Sequence, residues 1–374
     1  MVLVFVALHK LRLICFFVKR GVKLIHLRNQ NVTGASNIFN KMKFTLTLDG
    51  DKVALQAYLR EHNWLTENET ITSIEKPGEG NMNVVVRIIT PNKSIIVKQA
   101  RGFVQKYPDI PAPIERIKVE SDFYELVSGI DNLKDYMPAM IGYDSENYVM
   151  VMEDLGTSSD YSSLYKKDVE ITAETIDSTI DYLSKLHNHT FSEETITNFS
   201  DNLALRKLNY EHLFVYPLME ENGFNLDNIQ ADLQAVAMEY KTDKVLNERM
   251  KTLGEVYLSS GNVLLHGDYY PGSWLNVNGV LKIIDPEFCF FGKPEYDLGV
   301  MIAHLKMTQT TKNQVSSLWK KYEQPADFSK DLTQKFVGME IIRRIIGLAQ
   351  LPLDLTLDEK KNLLEEAREL VIEL

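Results

Sequence analysis

Cysteine is almost absent: Cys15 and Cys289 are the only two in 374 residues, which excludes a disulfide framework and points to a reducing cytoplasm. Long hydrophobic runs are missing as well. Val2 to Leu8 spans seven residues before His9 to Arg12 interrupt it, far short of the roughly 20 apolar residues that cross a bilayer. Basic residues follow or break these apolar runs rather than precede them, contrary to a signal peptide. A basic interfacial helix remains one reading of this opening. The preferred expectation is that residues 1–41 are an extension upstream of Met42, outside the fold. Acid is absent from those 41 residues, which hold seven Lys or Arg, so the remainder carries 34 basic against 52 acidic residues, a balance of −18. So acidic a body argues against nucleic-acid binding. No internal repeat or low-complexity tract occurs. With 44 % hydrophobic and 25 % charged residues, the chain is long enough for two lobes, each with its own core.

What is present concentrates in Leu264 to Gly299, LLHGDYYPGSWLNVNGVLKIIDPEFCFFGKPEYDLG, where charged residues sit on turns between short apolar runs. Val263 to Leu265 reads as a buried strand followed by His266-Gly267-Asp268, with Ser273 on the next loop. Trp274 to Val277 and Val280 to Ile284 flank Asn278-Gly279, the dipeptide of a two-residue hairpin. The second run ends at Asp285-Pro286-Glu287. This hairpin brings Asp268, Ser273, Asp285 and Glu287 to one end of the strands, a set of hard oxygen donors with no Cys or His cluster nearby, suited to Mg²⁺ shared with substrate phosphates. Each residue alone could merely cap a turn or face solvent.

Upstream, Asp49 to Arg60 reads as a capped amphipathic helix with Leu55, Tyr58 and Leu59 on its apolar face, closed by Trp64 and Leu65. Thr70 to Glu75 alternates as a strand. Gly78-Glu79-Gly80-Asn81-Met82-Asn83 then separates it from the strand Val84 to Ile89, a loop that could admit phosphates to backbone N–H groups or could be only a turn. Lys98 ends the strand beginning at Ser94. A helix over Ile114 to Val127 offers Glu120 and Glu125 as partner carboxylates, and Tyr148 to Met152 is an apolar strand ending at Glu153-Asp154-Leu155-Gly156. From Ala173 the chain turns helical, with Ile176, Ile180, Leu183 and Leu186 at helical spacing before His187, read as a core histidine, and with further helix over Asn228 to Leu258. Glu295 to Lys306 is a helix bearing Asp297. Phe336 to Gln350 is another, with Arg343 and Arg344 set between isoleucine pairs. Neighbours on a helix point about 100° apart, so at least one guanidinium must enter a cleft.

H-x-D, a small polar residue five positions on and a strand ending in Asp form a pattern that resembles the catalytic and metal loops of eukaryotic-like kinases, with HGD for HRD and DPE for DFG. The combination is similar to the aminoglycoside phosphotransferase and choline kinase superfamily of small-molecule kinases. Within it the 5-methylthioribose kinase family resembles this chain at GEGNMNVVVRI, SIIVKQA, VMEDL, IDPEF and IIRRIIGLA, over Ile71 to Pro352. The resemblance implies that Gly78, Gly80, Asn81 and Asn83 lie along the ATP phosphates. Lys98 would pair with the α and β phosphates and with a helix carboxylate, for which it favours Glu120. Glu153 to Leu155 would be an inter-lobe hinge offering backbone groups to adenine. Asp297 would brace the catalytic loop, and Arg343 and Arg344 would contact a sugar substrate.

The fold expected is therefore α+β and two-lobed: residues 42–153 a small lobe with an antiparallel sheet, residues 154–374 a larger helical lobe. The expected reaction moves the ATP γ-phosphoryl to an alcohol, the 1-hydroxyl of 5-methylthioribose, with Asp268 as base and Asp285, Glu287 and Ser273 holding Mg²⁺. Partners would be a small sugar alcohol, neither nucleic acid nor membrane, with a homodimer left open. One departure bears on the acceptor. The family reads HGDLHTGSI where this chain has HGDYYPGSWL, so Tyr269, Tyr270, Pro271 and Trp274 are expected to stiffen and reshape the pocket, for another sugar, an amino alcohol or an aminoglycoside. A rival of another class is a catalytically silent nucleotide-binding scaffold.

Overall fold

A computed structural model describes residues 44–78, 82–156, 158–308 and 310–372. The expectations for residues 1–41, Gly80 and Asn81 lie outside the described residues. The chain divides into two compact units, one ending at residue 157 and the other starting at Ser158.

In the first unit, helix α1 (Lys52–Glu61) starts at the cap Asp51, which accepts from Val53 N, and buries Leu55, Tyr58 and Leu59 as its spacing predicts. An antiparallel sheet runs in the order β1 (Ser73–Glu75), β2 (Val84–Ile89), β3 (Ser94–Gln99), then β7 (Val149–Glu153) and β6 (Met140–Asp144). Strand β1 is shorter than expected because its partner β2 ends at Ile89, opposite Ser73, and turns at Thr90; Ile71 N donates to the Gln56 side chain. Alternation on β2 buries Val84, Val86 and Ile88, and these join Leu55, Leu59, Trp64, Val97 and Val151 in one core. Gln99, fully buried, ties the entering chain to this sheet by accepting from Leu46 N at 2.7 Å and donating to the Phe44 and Asn147 carbonyls. The ribbon of β4 (Phe103–Val104) and β5 (Tyr107–Pro111) leads into α2 (Arg116–Ser128).

The second unit opens with the short β8 (Ser159–Asp160) and is mainly helical. Helix α3 (Ala173–Asn188), capped by Thr172, buries the predicted stripe Ile176, Ile180, Leu183 and Leu186. It is followed by α4 (Glu193–Asn198) and α5 (Leu203–Tyr210), which runs into one π-helical stretch over Glu211–Val215. The expected helix over Asn228 to Leu258 is two: α6 (Leu233–Lys241) ends, and Asp243 turns extended to cap α7 (Lys244–Leu258) by accepting from Val245 N and Leu246 N. Two small ladders then follow. Strand β9 (Val263–Leu265) pairs with β12 (Phe290–Gly292), and β10 (Trp274–Val277) pairs with β8 and with β11 (Val280–Ile283). Asn278 and Gly279 both have positive φ, 53° and 86°, the left-handed pair a tight hairpin requires.

Helices α8 (Glu295–Lys306), α9 (Lys312–Lys321), α10 (Lys330–Ile346) and α11 (Leu357–Ile372) complete the unit. Helices α8 and α10 lie close together because Gly299 offers no side chain: a Cβ there would stand 2.6 Å from the Cβ of Phe336. That approach sets α10 and its arginines against the turn that follows β9. No helix among the described residues is long and apolar enough to cross a membrane.

Candidate active site

The first unit holds a buried ion pair. Lys98 on β3 donates to Glu120 on α2 at 2.8 Å, with side-chain exposures of 7 % and 0 %. The choice between Glu120 and Glu125 is thereby made. Burying such a pair is affordable only with close geometry, and that geometry fixes the Lys98 ammonium at the strand end. Sequence reasoning missed Arg116, fully buried at the start of α2, which donates to the carbonyls of Arg101, Pro113 and Met82 at 2.7 to 2.8 Å and anchors the chain leaving the glycine loop. Gly78 has open space around it and Asn83 is buried. After β7, Arg87 grips Asp154 through two hydrogen bonds of 2.8 and 3.0 Å and also donates to the Gly156 carbonyl. The expected use of Glu153 by adenine narrows here, because its amide already donates to Ala139 O at 2.8 Å and its carboxylate accepts from Ala139 N.

In the second unit the turn after β9 is held by Asp297 at the start of α8, whose carboxylate accepts from His266 N at 2.6 Å and Gly267 N at 3.0 Å. Gly267 must be glycine: its φ is +84° and a Cβ would stand 2.2 Å from Phe288 O. The His266 ring bridges two loops. Its Nε2 meets the Ile284 carbonyl at 3.0 Å, which can only accept, so Nε2 carries the proton and Nδ1 accepts from Asp268 N at 3.4 Å. Ser273 Oγ donates to Asp268 O at 2.8 Å, closing the loop around the aspartate. Asp285 follows β11 in a left-handed conformation, φ +62°, and its charge is among those that raise the Asp268 pKa. Glu287 is half-buried, and its main-chain carbonyl accepts from Asn202. Among the described residues no cluster of three His, Cys, Asp or Glu forms a protein-only metal cage.

Asp268 is the meeting point. Arg343 Nη2 and Arg344 Nη2 each stand 3.8 Å from its Oδ1. Burial pushes its carboxyl above the usual 3.8, against the pull of both guanidiniums. Both arginines are buried, at 7 % and 6 % exposure, so the helix geometry that demanded one inward guanidinium has delivered two. Both Nε atoms donate to Glu340, one turn earlier on α10 and fully buried. Glu340 was missed, although its spacing of three and four residues from the arginines is the helix pairing distance. His212, on the π-helical stretch, was also missed: it is half-buried, and burial together with the Arg343 charge lowers its pKa.

Two expectations concern neighbouring residues. Of the four bulky loop residues Tyr270 borders the arginines, its ring lying under the Arg344 guanidinium at 4.9 Å, and Tyr269 packs edge-on against the His266 ring at 5.6 Å. Tyr269, Pro271 and Trp274 are buried in the unit's interior, Tyr269 donating to Thr179 O and stacking on Tyr182, and Trp274 packing on Tyr161 and Tyr269. The loop is thus packed from behind by Tyr269, Pro271 and Trp274. His187 is a core histidine as read, bonded to Tyr322 OH at 2.7 Å and standing 3.4 Å from Asp297.

A five-stranded sheet with a buried Lys–Glu pair, and a helical unit whose H-x-D turn is braced by an aspartate and overlooked by two arginines, define a kinase-like α+β phosphotransferase. Residues 73–330 match the phosphotransferase enzyme family (APH), and the chain belongs to that family. Its relatives include proteins named methylthioribose kinase from Bacillus cereus (strain B4264), 25 % identical over 82 % of this chain and 85 % of theirs. One from Pectobacterium carotovorum subsp. carotovorum (strain PC1) is 28 % identical over 66 % of this chain and 63 % of its own. The fold is also that of an ethanolamine kinase from Plasmodium vivax, with a TM-score of 0.51 at 11 % identity, covering 92 % of this chain and 96 % of that one.

Proposed function

We propose that this phosphotransferase moves the γ-phosphoryl of ATP to a hydroxyl of a neutral sugar, the 1-hydroxyl of 5-methylthioribose. The observation that carries this reading is the pair of permanent cations at the base: Arg343 and Arg344, both 3.8 Å from Asp268 Oδ1. Guanidinium N–H groups donate to sugar hydroxyl oxygens, whereas a choline or aminoglycoside acceptor is cationic and would be repelled. The relatives named methylthioribose kinase, at about a quarter identity, agree with it.

Asp268 would orient the acceptor hydroxyl and take its proton as the new O–P bond forms and the bond from the γ-phosphorus to the β-bridging oxygen breaks, releasing ADP. The raised pKa of Asp268 makes it a better base than an ordinary carboxylate. Phosphoryl transfer passes through a loose transition state, so orientation and charge matter more than base strength. Lys98, held by Glu120, would neutralise the α and β phosphates, and the backbone around Gly78 to Asn83 would admit them closely. Asp285, Glu287 and Ser273 supply only hard oxygen donors, too few for a protein cage, which fits Mg²⁺ completed by phosphate oxygens. That ion, when bound, would neutralise charge on the transferred phosphoryl. Leu155, whose backbone groups carry no hydrogen bond among the described residues, remains the adenine contact of this reading.

The test is acceptor-dependent ATP consumption by the purified protein with 5-methylthioribose, ribose, choline and an aminoglycoside. The expected result is preference for 5-methylthioribose. Preference for a cationic acceptor would overturn the sugar assignment and leave the phosphotransferase standing, and no turnover with any alcohol would favour a silent scaffold.

A further inference from the structure

Behind the arginine pair lies a chain of buried polar groups that the reaction does not consume. Glu340 Oε2 accepts from Arg343 Nε, and Glu340 Oε1 accepts from Arg344 Nε at 2.9 Å and also meets His304 Nε2 at 2.8 Å. The other His304 nitrogen, Nδ1, lies 2.6 Å from Tyr165 OH. Glu340 and His304 are fully buried and Tyr165 nearly so. Tyr270 lies between the two parts, its ring tilted 5.0 Å from that of His304 and 4.9 Å from the Arg344 guanidinium.

The protons on this chain follow from its ends. Glu340 is held ionised, its carboxyl kept well below the usual range by the two guanidiniums despite its burial, so it can only accept. Burial lowers His304 to about 4, so the ring is neutral and carries one N–H. That N–H must be at Nε2, facing Glu340, and Nδ1 must accept from Tyr165 OH. The hydrogen bonds therefore run one way, Tyr165 to His304 to Glu340, and each carboxylate oxygen takes one arginine Nε.

Gripping the guanidiniums by Nε has a geometric consequence. The inner edge of each is immobilised, and the Nη2 atoms of both are turned to the same oxygen of Asp268 at 3.8 Å, beyond hydrogen-bonding distance. Those N–H groups keep donor capacity for an acceptor oxygen beside the base. A carboxylate meeting the guanidiniums end-on would occupy Nη donors instead, and since Arg344 Nη1 already points to the Ala349 carbonyl at 3.4 Å, the acceptor would find fewer of them.

We infer that Glu340 is a positioning residue for the acceptor, clamping Arg343 and Arg344 by their Nε atoms so that their Nη ends face the acceptor hydroxyls together, and that His304 and Tyr165 hold Glu340 in that orientation. This rests on the sugar-kinase reading and deepens it. Its signature is selectivity: acceptor affinity depends on residues that touch no acceptor, while nucleotide affinity does not.

The experiment measures KM for ATP and for the neutral sugar turned over fastest by the unaltered protein, then repeats both with His304→Leu, His304→Gln, Tyr165→Phe and Glu340→Gln. His304→Leu and Glu340→Gln should raise the acceptor KM about tenfold or more with ATP KM within about twofold. His304→Gln should return the acceptor KM to within about threefold of the original, because a carboxamide N–H reaches the position of Nε2. Tyr165→Phe should have a smaller effect of the same kind. Should Glu340→Gln fail to fold, the two His304 variants and Tyr165→Phe still decide the matter. An acceptor KM unchanged in His304→Leu, a parallel rise in ATP KM, or no recovery in His304→Gln would overturn the clamp while leaving the kinase reading intact. If the unaltered protein turns over no neutral sugar, the sugar reading fails and the clamp falls with it.

Discussion

Lys98 and Glu120 meet at 2.8 Å with both side chains buried, the ammonium at the end of β3 and the carboxylate on α2. Removing the carboxylate while keeping the lysine is therefore costly. Glu120→Ala should lower stability by about 3 kcal/mol, the range for breaking a buried pair from one side. ATP should recover part of this, since its phosphates supply anionic charge to the same ammonium. Chemical denaturation with and without ATP checks both statements, and a loss below about 1 kcal/mol would mean the pair is screened like a surface bridge.

Asp268 is tested by Asp268→Asn, which keeps the shape of the side chain. The fold and ATP affinity should survive, and kcat should fall by about 10² or more. A folded variant with near-normal turnover would remove Asp268 from the role of base.

For Asp285 the readout is metal dependence. Asp285→Ala should weaken ATP binding in Mg²⁺ and turnover together, and should steepen the Mg²⁺ requirement of the rate. ATP affinity and metal dependence both identical to the unaltered protein would show that this aspartate holds no metal.

Arg343→Ala and Arg344→Ala, each alone, should raise KM for a neutral sugar by an amount worth about 1.5 to 3 kcal/mol, one charged hydrogen bond, with little change in ATP KM. Indifference of the sugar KM to both substitutions would sink the assignment of the pair to the acceptor.

How much of this could be read beforehand depended on periodicity. The inward course of Arg343 and Arg344 was legible because flanking isoleucines fix the helix face, and the hairpin at Asn278-Gly279 because that dipeptide suits positive φ. The loop Tyr269 to Trp274 has no period, so nothing local says that Tyr269 and Trp274 turn inward while Tyr270 lies under Arg344. Partners distant in sequence were equally hidden. Arg87 with Asp154, Arg116 with the Met82 carbonyl and Asp297 with the His266 amide are set by strand and helix packing, and of these only Asp297 was anticipated, through resemblance. Glu340 was the avoidable miss, since its spacing from the arginines follows from helix geometry alone.

His304 gives a prediction about pH. Burial lowers it from 6.5 to about 4, opposed by its hydrogen bond to Glu340. The groups facing it are Tyr165 and Tyr270, whose phenols are pushed up and stay un-ionised, and Glu340, Arg343 and Arg344. Above pH 6.5 neither the folded nor the unfolded chain carries a proton here, and the contribution to stability is complete. As pH falls toward 4 the unfolded chain takes up a proton that the folded one refuses, so stability declines, by about 3 kcal/mol over the whole window, and then levels off. Glu340, with its folded pKa held well below the ordinary 4.5, begins to lose its contribution only as the pH nears 4.5, below the lower pH of the test. His212, also lowered by burial and by the Arg343 charge, likewise loses its contribution as pH falls below 6.5, so the comparison must be with a variant that retains it. Unfolding by urea at pH 7 and at pH 5 should show a drop about 2 kcal/mol larger in the unaltered protein than in His304→Gln. Equal drops in the two proteins would mean that His304 is not the neutral, buried link between Tyr165 and Glu340.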